Sequence, residues 1–305
     1  MANTDKVSFT EKSKGSIKGL KKYRNLLNEL VRKNIKLQYR GSVLGLFWTC
    51  LQPLLTMIVL SFVFSMIFGK KNVANYPVYL LTGRLLFDFY SGSTKKAMRS
   101  IRGNASIIKK VYVPKYAYVF SNIVSTFITF AISLIDLIVV IAFYNIFIPS
   151  KAIYITPCVI MAIIPIFVLA VLATGVGFIL ATLQVFFRDV EYLYDVFCLL
   201  LFYMTPIVYT VDKLQLGAAA VVLKANPLYG IIGAFRACVT GQTGLKGQKG
   251  FEIAYGPGHL THAFHLAVNT MTSGAFLYAV GFAVIMLVIG IIVFRKNQDK
   301  FILHI

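Results

Sequence analysis

Long apolar runs separated by short polar stretches dominate this chain. Each run reaches or approaches the roughly 20 residues that an α-helix needs to cross the ~30 Å hydrocarbon core of a bilayer. The pattern predicts an all-α integral membrane protein with six transmembrane helices. We expect these helices over residues 43–69, 77–92, 116–148, 153–187, 192–209 and 273–294.

A different pattern precedes the first span. Between residues 20 and 38, apolar side chains recur at helical spacing and basic side chains occupy the opposite side. This predicts an amphipathic helix in the membrane interface, with its basic face toward anionic headgroups. A helix packed on a partner is the alternative. Residues 20–42 are therefore assigned to this helix and a loop that enters the first span, and residues 1–19 to a cytoplasmic tail.

The stretch between the second and third spans, residues 94–114, carries six basic residues and no acidic one. By the positive-inside rule, such a hinge faces the cytoplasm. Isoleucine, valine and tyrosine side chains interleave with its lysine pair, which predicts a short helix near 104–114 that docks on a partner; a topological anchor without a partner is the alternative. Six spans and a basic tail at 295–305 then place both termini in the cytoplasm.

The longest connection, residues 211–272, is external in this topology. Its apolar stretches at 218–223 and 228–239 predict short re-entrant helices, since irregular backbone at membrane depth is tolerated only against protein or a water-filled cavity. Three histidines recur every third residue and would spread around a helix instead of converging. We expect ordinary loop histidines and no metal site at His259, His262 and His265.

Composition narrows the class of protein. Of the 305 residues, 58% are hydrophobic and 14% are charged, against about 25% charged in soluble domains. The net charge of +20 comes from basic residues beside the spans, which indicates anionic lipid and topology and not nucleic acid. The chain has no G-x-x-x-x-G-K-[ST] loop, so we expect no ATP hydrolysis, no catalytic site and no cofactor in this chain.

Charged residues inside spans must be paired or face water. Arg84 and Asp88 are four residues apart and lie on one helical face, which fits a structural ion pair or the lining of a hydrophilic pathway. Asp136 is an isolated acid in the third span. The candidates for the lining of a pathway are Arg84, Asp88 and five aromatic residues: Phe47, Trp48, Phe202, Tyr203 and Tyr209.

Four separated stretches carry a family resemblance. They are Tyr-Arg-Gly-Ser-Val-Leu-Gly at residues 39–45, Asn-Ala-Ser-Ile-Ile-Lys-Lys-Val-Tyr-Val-Pro at 104–114, Phe-Arg-Asp-Val at 187–190, and Thr-Pro-Ile-Val-Tyr at 205–209, followed by Asn-Pro at 226–227. Together they resemble the membrane subunit of ATP-binding-cassette exporters of bacterial surface polysaccharides, the O-antigen and teichoic-acid exporter permeases. The chain departs from the family mainly in its longer loop between residues 241 and 272.

The resemblance implies a homodimer of this chain in the bacterial cytoplasmic membrane, with two copies of a cytoplasmic ATPase subunit that bind ATP and Mg²⁺. It also implies that residues 104–114 form the coupling helix that contacts the ATPase. The implied coupling residues are Asn104, Ile107, Ile108, Lys109, Lys110, Val111, Tyr112 and Pro114. Arg188 and Asp189 would form a second cytoplasmic turn.

The resemblance further implies that a lateral gate for an undecaprenyl-linked polysaccharide is bordered by Tyr39, Arg40, Gly41 and Ser42. Arg40 would meet the lipid pyrophosphate, a contact that suits a guanidinium; a snorkelling interface anchor is the alternative for this residue. Two rival functions stay open from the sequence. One is an exporter permease for a small amphiphile or drug, and the other is an ion-coupled transporter that uses Asp88 and Asp136.

Overall fold

The computed structural model describes residues 24–68, 75–110, 113–147, 157–209, 223, 225–240 and 259–304, and every regular element in these ranges is helical. The predicted all-α class is therefore confirmed. The predicted tail at 1–19 and Val111 and Tyr112 lie outside the described residues. The helices are α1 Arg24–Gln38, α2 Trp48–Phe68, α3 Tyr76–Gly103, α4 Ala105–Ile108, α5 Tyr116–Phe147, α6 Ile163–Phe186, α7 Val190–Met204, α8 Pro227–Thr240, α9 His259–Met271, α10 Gly274–Asn297 and α11 Phe301–His304.

Four helical segments are long and apolar enough to cross a membrane. They are Gly45–Phe64, Tyr116–Phe147, Cys158–Phe186 and Gly274–His304, and they correspond to the first, third, fourth and sixth predicted spans. Helix α3 is long enough but carries charged residues along its second half, and α7 has only 15 residues. The count of six spans therefore stays a prediction.

Helix α3 corrects the predicted hinge. It continues without a break through Gly103, so residues 94–103 are not a polar loop but the last turns of a 28-residue helix, about 42 Å long. One side of these turns is buried, with Ala97, Met98 and Ile101 at 0% exposure. The density of basic residues concealed this apolar face in the sequence.

Helix α6 lies at the centre of the bundle and packs against α3, α5 and α10. Its contact with α10 is backbone to backbone: a Cβ atom built on Gly290 would stand 2.3 Å from the carbonyl oxygen of Gly175. Small residues at a crossing let membrane helices approach closely. Glycine at both positions therefore sets the distance between the two helices.

Helix α1 packs along the first turns of α5. Leu30 is buried there, and the Asn34 side-chain amide donates to Ser121 Oγ at 3.4 Å. At 32 residues α5 is about 48 Å long, which exceeds the ~30 Å hydrocarbon core. Helix α5 is therefore longer than the core of a bilayer, and α1 packs beside its first turns. The position of α1 in the membrane interface stays a prediction.

Two helices occupy the described part of the predicted external loop. The apolar stretch at 228–239 forms α8, in which every residue from Leu228 to Thr240 is buried. The stretch at 218–222 lies outside the described residues, as does the Gly-rich turn at 241–250. The expectation of loop histidines is wrong, because the three histidine positions lie on α9.

Candidate gate and coupling site

The loop at residues 39–45, which we call the gate loop, opens with a tight turn. The Ser42 backbone N–H donates to the Tyr39 carbonyl oxygen at 3.2 Å, and Gly41 has φ +79°. A left-handed residue at this place in a turn favours glycine. Arg40 precedes it at the exposed tip of the turn, so its guanidinium is available to a ligand at the surface.

The gate loop rests on a polar patch where α2 meets α5. The Tyr39 side chain lies against Thr49 and Cys50 at the start of α2, and Ser133 Oγ of α5 donates to the Thr49 carbonyl oxygen at 3.0 Å. Asp136 lies beside Cys50 and is 2% exposed. Within the described ranges, no hydrogen bond reaches Asp136 Oδ2.

The predicted coupling segment is shorter as a helix than expected. Helix α4 is a single turn, and Asn104 fixes it to its neighbours: the Asn104 side-chain amide donates to the Ser100 carbonyl oxygen at 2.8 Å, and Lys33 Nζ donates to Asn104 Oδ1 at 3.2 Å. Ile108 is 8% exposed and packs in the same apolar cluster as Leu30.

The other described residues of this segment point outward. Ile107 is 38% exposed, Lys109 and Lys110 are exposed, and Pro114 is half-buried. The segment thus combines a buried anchor, Ile108, with an apolar and basic outer surface. Such a surface is suited to a partner, and the docking role of these residues stays a prediction.

Basic residues of α3 pair with acidic residues of α7. Lys95 Nζ lies 2.7 Å from Asp195 Oδ1, and Arg99 Nε lies 2.7 Å from Glu191 Oε1. The two basic residues are four positions apart on α3, and the two acidic residues are four positions apart on α7. The two ion pairs therefore form a ladder between antiparallel helices. The ladder joins the end of α3, which leads into α4, to the start of α7.

Two further hydrogen bonds extend the ladder. Tyr194 Oη donates to Thr94 Oγ1 at 2.8 Å in a buried position, and the Gln184 side-chain amide donates to Glu191 Oε2 at 2.7 Å. Glu191 therefore binds both Arg99 of α3 and Gln184 of α6. Glu191 therefore links helices α3, α6 and α7.

We expect Lys95→Glu to destabilise the protein and Lys95→Glu with Asp195→Lys to restore most of the loss. The single variant places two carboxylates together, whereas the double variant rebuilds the pair. Because the side chains are 32% and 42% exposed, the pair contributes about 1 kcal/mol or less. Melting temperature in detergent is the measurement. The control is Glu29→Lys, since the Glu29–Arg32 pair is 3.9 Å long and highly exposed; additive losses in the double variant would contradict the ladder.

Five of the seven predicted lining residues lie together between α3 and α7. Arg84 Nε donates to Asp88 Oδ2 at 2.7 Å, and the Arg84 guanidinium lies 5.2 Å from the centre of the Phe202 ring. The Phe202 ring contacts that of Tyr203, and Tyr209 Oη donates to the Tyr203 carbonyl oxygen at 2.8 Å. The predicted Arg84–Asp88 ion pair is confirmed, and a role in lining a pathway stays a prediction.

The other two predicted lining residues, Phe47 and Trp48, are separate from this cluster. They stand at the start of α2, directly after the gate loop, and are 60% and 40% exposed. In the part of the chain that the structure describes, neither ring contacts another aromatic ring. Their position relates them to the gate loop and not to the α3–α7 cluster.

The turn at Arg188 and Asp189 joins α6 to α7 as predicted. Both residues are exposed, and the Glu191 backbone N–H donates to the Arg188 carbonyl oxygen at 3.3 Å. Burial, reinforced by the nearby Arg188, lowers the pKa of Arg102 at the end of α3. Arg188 therefore lies near Arg102 at the end of α3, and the functional role of the turn stays a prediction.

A buried arginine, Arg236, lies at the end of the bundle opposite the ladder. From the sequence, this residue was expected in an external loop. Arg236 of α8 is 1% exposed and donates to the carbonyl oxygens of Pro206 at 2.7 Å, Tyr79 at 3.0 Å and Ile207 at 3.3 Å. It also donates to Thr82 Oγ1 at 3.3 Å, and its guanidinium lies 3.6 Å from the centre of the Tyr79 ring. We call this set the Arg236 clamp.

The clamp region also brings two of the family-like stretches into contact. The Asn226 side-chain amide donates to Thr205 Oγ1 at 2.8 Å, and Asn226 Oδ1 accepts from the Leu228 backbone N–H at 3.0 Å. Tyr76 Oη donates to the Val208 carbonyl oxygen at 2.8 Å. Side chains therefore provide hydrogen-bond donors to the non-helical segment that follows α7.

Two signals in the sequence would have found these features. Lys95 and Arg99 share the four-residue spacing of Glu191 and Asp195, which predicts a ladder once both stretches are read as helices. A single arginine within the apolar run at 228–239 is typical of a buried, hydrogen-bonded charge. Both were missed because 94–103 was assigned to a hinge and Arg236 to an external loop.

Comparison with known proteins gives a consistent picture. The model of the ABC-2 type transporter family matches residues 25–239. An O-antigen export system permease protein RfbA from Myxococcus xanthus is 29% identical over 222 residues, 72% of this chain and 82% of the relative. Two such proteins from Klebsiella pneumoniae are 30% identical over 212 residues, 70% of this chain and 79% of the relative, and 26% identical over 279 residues, 91% and 93% of the two chains.

Proposed function

We propose, from the premise that this chain belongs to the ABC-2 type transporter family, that it is the transmembrane subunit of an ATP-driven exporter. Its substrate would be a lipid-linked cell-surface polysaccharide, such as O-antigen or teichoic acid, on an undecaprenyl-type carrier. The observation that carries this proposal is the similarity to three O-antigen export permeases over 70% or more of the chain. The region that the family model matches, residues 25–239, includes the gate loop, α4, the α3–α7 ladder and Arg236.

The two kinds of subunit have different roles in the proposed complex. A cytoplasmic ATPase subunit in two copies binds ATP and Mg²⁺, and two copies of this chain form the pathway in the cytoplasmic membrane, with both termini in the cytoplasm. Exposed apolar side chains along α7, among them Leu193 at 70% and Val196 at 68% exposure, support a surface that meets lipid or the second copy. Membership of an ATP-driven family favours this function over an ion-coupled transporter that uses Asp136.

In this proposal, closure of the ATPase dimer pushes on α4, and the push reaches the membrane through α3. The contacts that support it are the anchoring of α4 by Asn104 and Ile108 and the ladder from α3 to α7. Because α4 follows α3 with only Asn104 between them, displacement of α4 displaces the end of α3. The ladder would then carry the displacement to α7 and to the aromatic cluster around Phe202.

The coupling role is tested by Lys109→Glu combined with Lys110→Glu. Reversing two exposed charges on the docking surface is expected to lower the affinity for the ATPase subunit roughly tenfold or more, measured by co-purification and by titration of the purified subunit. The matched control is Lys296→Glu with Lys300→Glu, two exposed lysines whose reversal changes net charge equally. Unchanged association of the Lys109/Lys110 variant would contradict the coupling role.

A further inference from the structure

Lys96 differs from its neighbours on the last turns of α3. Lys95 and Arg99 each contact an acidic residue of α7 at 2.7 Å. Lys96 Nζ donates instead to the side-chain oxygen of Gln38, a neutral amide, at 2.7 Å. In the described part of the chain, no carboxylate oxygen lies within 4.0 Å of Lys96 Nζ.

The surroundings of Lys96 make its charge unfavourable without an anion. Burial lowers the pKa of Lys96, because removal from water disfavours the ammonium form. A neutral amide oxygen offsets only part of this cost, whereas an anion would offset more of it. Lys96 keeps partial exposure, so a ligand at the surface can reach it. The site therefore holds a desolvated cation whose structural partner carries no charge.

The position of Lys96 joins it to the gate loop. Gln38, which accepts the lysine hydrogen bond, also donates to Tyr39 Oη at 2.9 Å through its side-chain amide. Arg40 follows at the exposed tip of the turn and makes no ion pair or side-chain hydrogen bond within the described residues. Among the described residues, Lys96 of α3 and Arg40 of the gate loop are thus two cations without acidic partners. Lys96 contacts Gln38, which contacts Tyr39, the residue directly before Arg40.

We propose that Lys96, fixed on α3, is a second cation that binds the diphosphate of a lipid-linked substrate, beside Arg40 of the gate loop, for which the family resemblance already implies such a contact. This inference rests on the proposed function, which supplies a diphosphate-bearing lipid. A diphosphate has two charged groups and can engage both cations at once, whereas a lipid monophosphate or an anionic phospholipid has one. The pair is therefore expected to bind the diphosphate more tightly than a lipid with one phosphate group.

The test measures binding directly and not transport. Full-length protein in phosphatidylcholine nanodiscs is titrated with radiolabelled polyprenyl diphosphate, and competition is measured with polyprenyl monophosphate and with phosphatidylglycerol. We expect the wild type to prefer the diphosphate over both competitors. Lys96→Gln is expected to raise the dissociation constant roughly tenfold to a hundredfold, which is the loss of one charge-assisted contact, and Lys96→Arg to retain binding.

Two controls separate binding from support of the fold. Gln38→Leu removes the same Lys96–Gln38 hydrogen bond but keeps the cation, and is expected to bind within about threefold of wild type. Lys33 also donates to a side-chain amide oxygen, that of Asn104, but at the far end of the contact between α1 and α3. Lys33→Gln is therefore expected to leave the dissociation constant unchanged. Equal losses in Gln38→Leu and Lys96→Gln would overturn the ligand role of Lys96.

The remaining outcomes separate this inference from the proposed function. If Arg40→Gln weakens diphosphate binding and Lys96→Gln does not, the role of Lys96 is wrong and the proposed function stands. If phosphatidylglycerol competes as well as the diphosphate, the pair binds bulk anionic lipid and the inference is wrong. If the wild type binds no diphosphate, the proposed function itself is contradicted.

Discussion

Replacement of Arg236 by leucine is expected to lower the melting temperature of the purified protein by roughly 5–10 °C. The variant removes every hydrogen bond of the guanidinium and leaves the buried carbonyl oxygens of Tyr79 and Ile207 without that donor. Each buried polar group left unsatisfied costs about 1–3 kcal/mol. The carbonyl oxygens of Pro206 and Tyr79 each keep one side-chain donor, Tyr79 Oη at 3.1 Å and Thr82 Oγ1 at 2.8 Å, so they lose only part of their bonding. The larger loss falls on the Ile207 carbonyl oxygen.

Arg236→Lys sharpens this test, because lysine keeps the charge but cannot form the same fork of hydrogen bonds. We expect it to be destabilised nearly as much as the leucine variant. Gly83→Ala probes the clamp from the other side, since its added Cβ would stand 2.4 Å from Arg236 Nη2. The control is Arg32→Leu at an exposed position. A melting temperature of Arg236→Leu within about one degree of wild type would contradict the clamp.

Replacement of Gly290 by leucine is expected to prevent accumulation of folded protein, or to lower its melting temperature by at least the roughly 5–10 °C expected for Arg236→Leu. The built Cβ lies 2.3 Å from the carbonyl oxygen of Gly175 and 3.2 Å from its Cα. These are backbone atoms of a central helix, so α6 and α10 must separate to admit a side chain. Overpacking of this kind costs typically 1–3 kcal/mol and occasionally more.

The same helix provides the control for this variant. Gly281→Leu lies on α10, where nothing comes within 4 Å of a built Cβ, and is expected to behave as wild type. Fluorescence-detected size-exclusion chromatography of both variants, followed by thermal unfolding, gives the comparison. Equal yields and melting temperatures for the two variants would show that the Gly175–Gly290 contact does not set the helix separation.

The long apolar helices were predictable from the sequence because their length and hydropathy are local properties. Helices α5, α6 and α10 begin and end within a few residues of the predicted spans, apart from the 3₁₀ turn Pro157–Ala162 that precedes α6. The Arg84–Asp88 pair was predictable for the same reason, since a four-residue spacing on one helix determines it. The family-like stretches indicated the proposed function without any knowledge of the fold.

The features that depend on contact between distant segments were not predictable in this way. The last turns of α3 carry basic residues whose acidic partners lie about 100 positions later on α7, so their charges looked like those of a solvated hinge. Arg236 looked like a loop cation because its acceptors are backbone carbonyl oxygens, which every sequence has. In the sequence, Lys96 is one of six similar basic residues between positions 94 and 114. Only the fold shows that Lys95 and Arg99 have acidic partners, whereas Lys96 contacts a neutral amide.

The central claim is that ATP hydrolysis by a partner subunit drives export of a lipid-linked glycan through this chain. It is tested most directly by the ATPase rate of the complex between this chain and its ATPase subunit in nanodiscs, with and without the glycan-lipid. We expect the glycan-lipid to stimulate hydrolysis and free lipid or amphiphilic drugs not to do so. Failure of this chain to associate with an ATPase subunit, or stimulation by drugs alone, would contradict the claim.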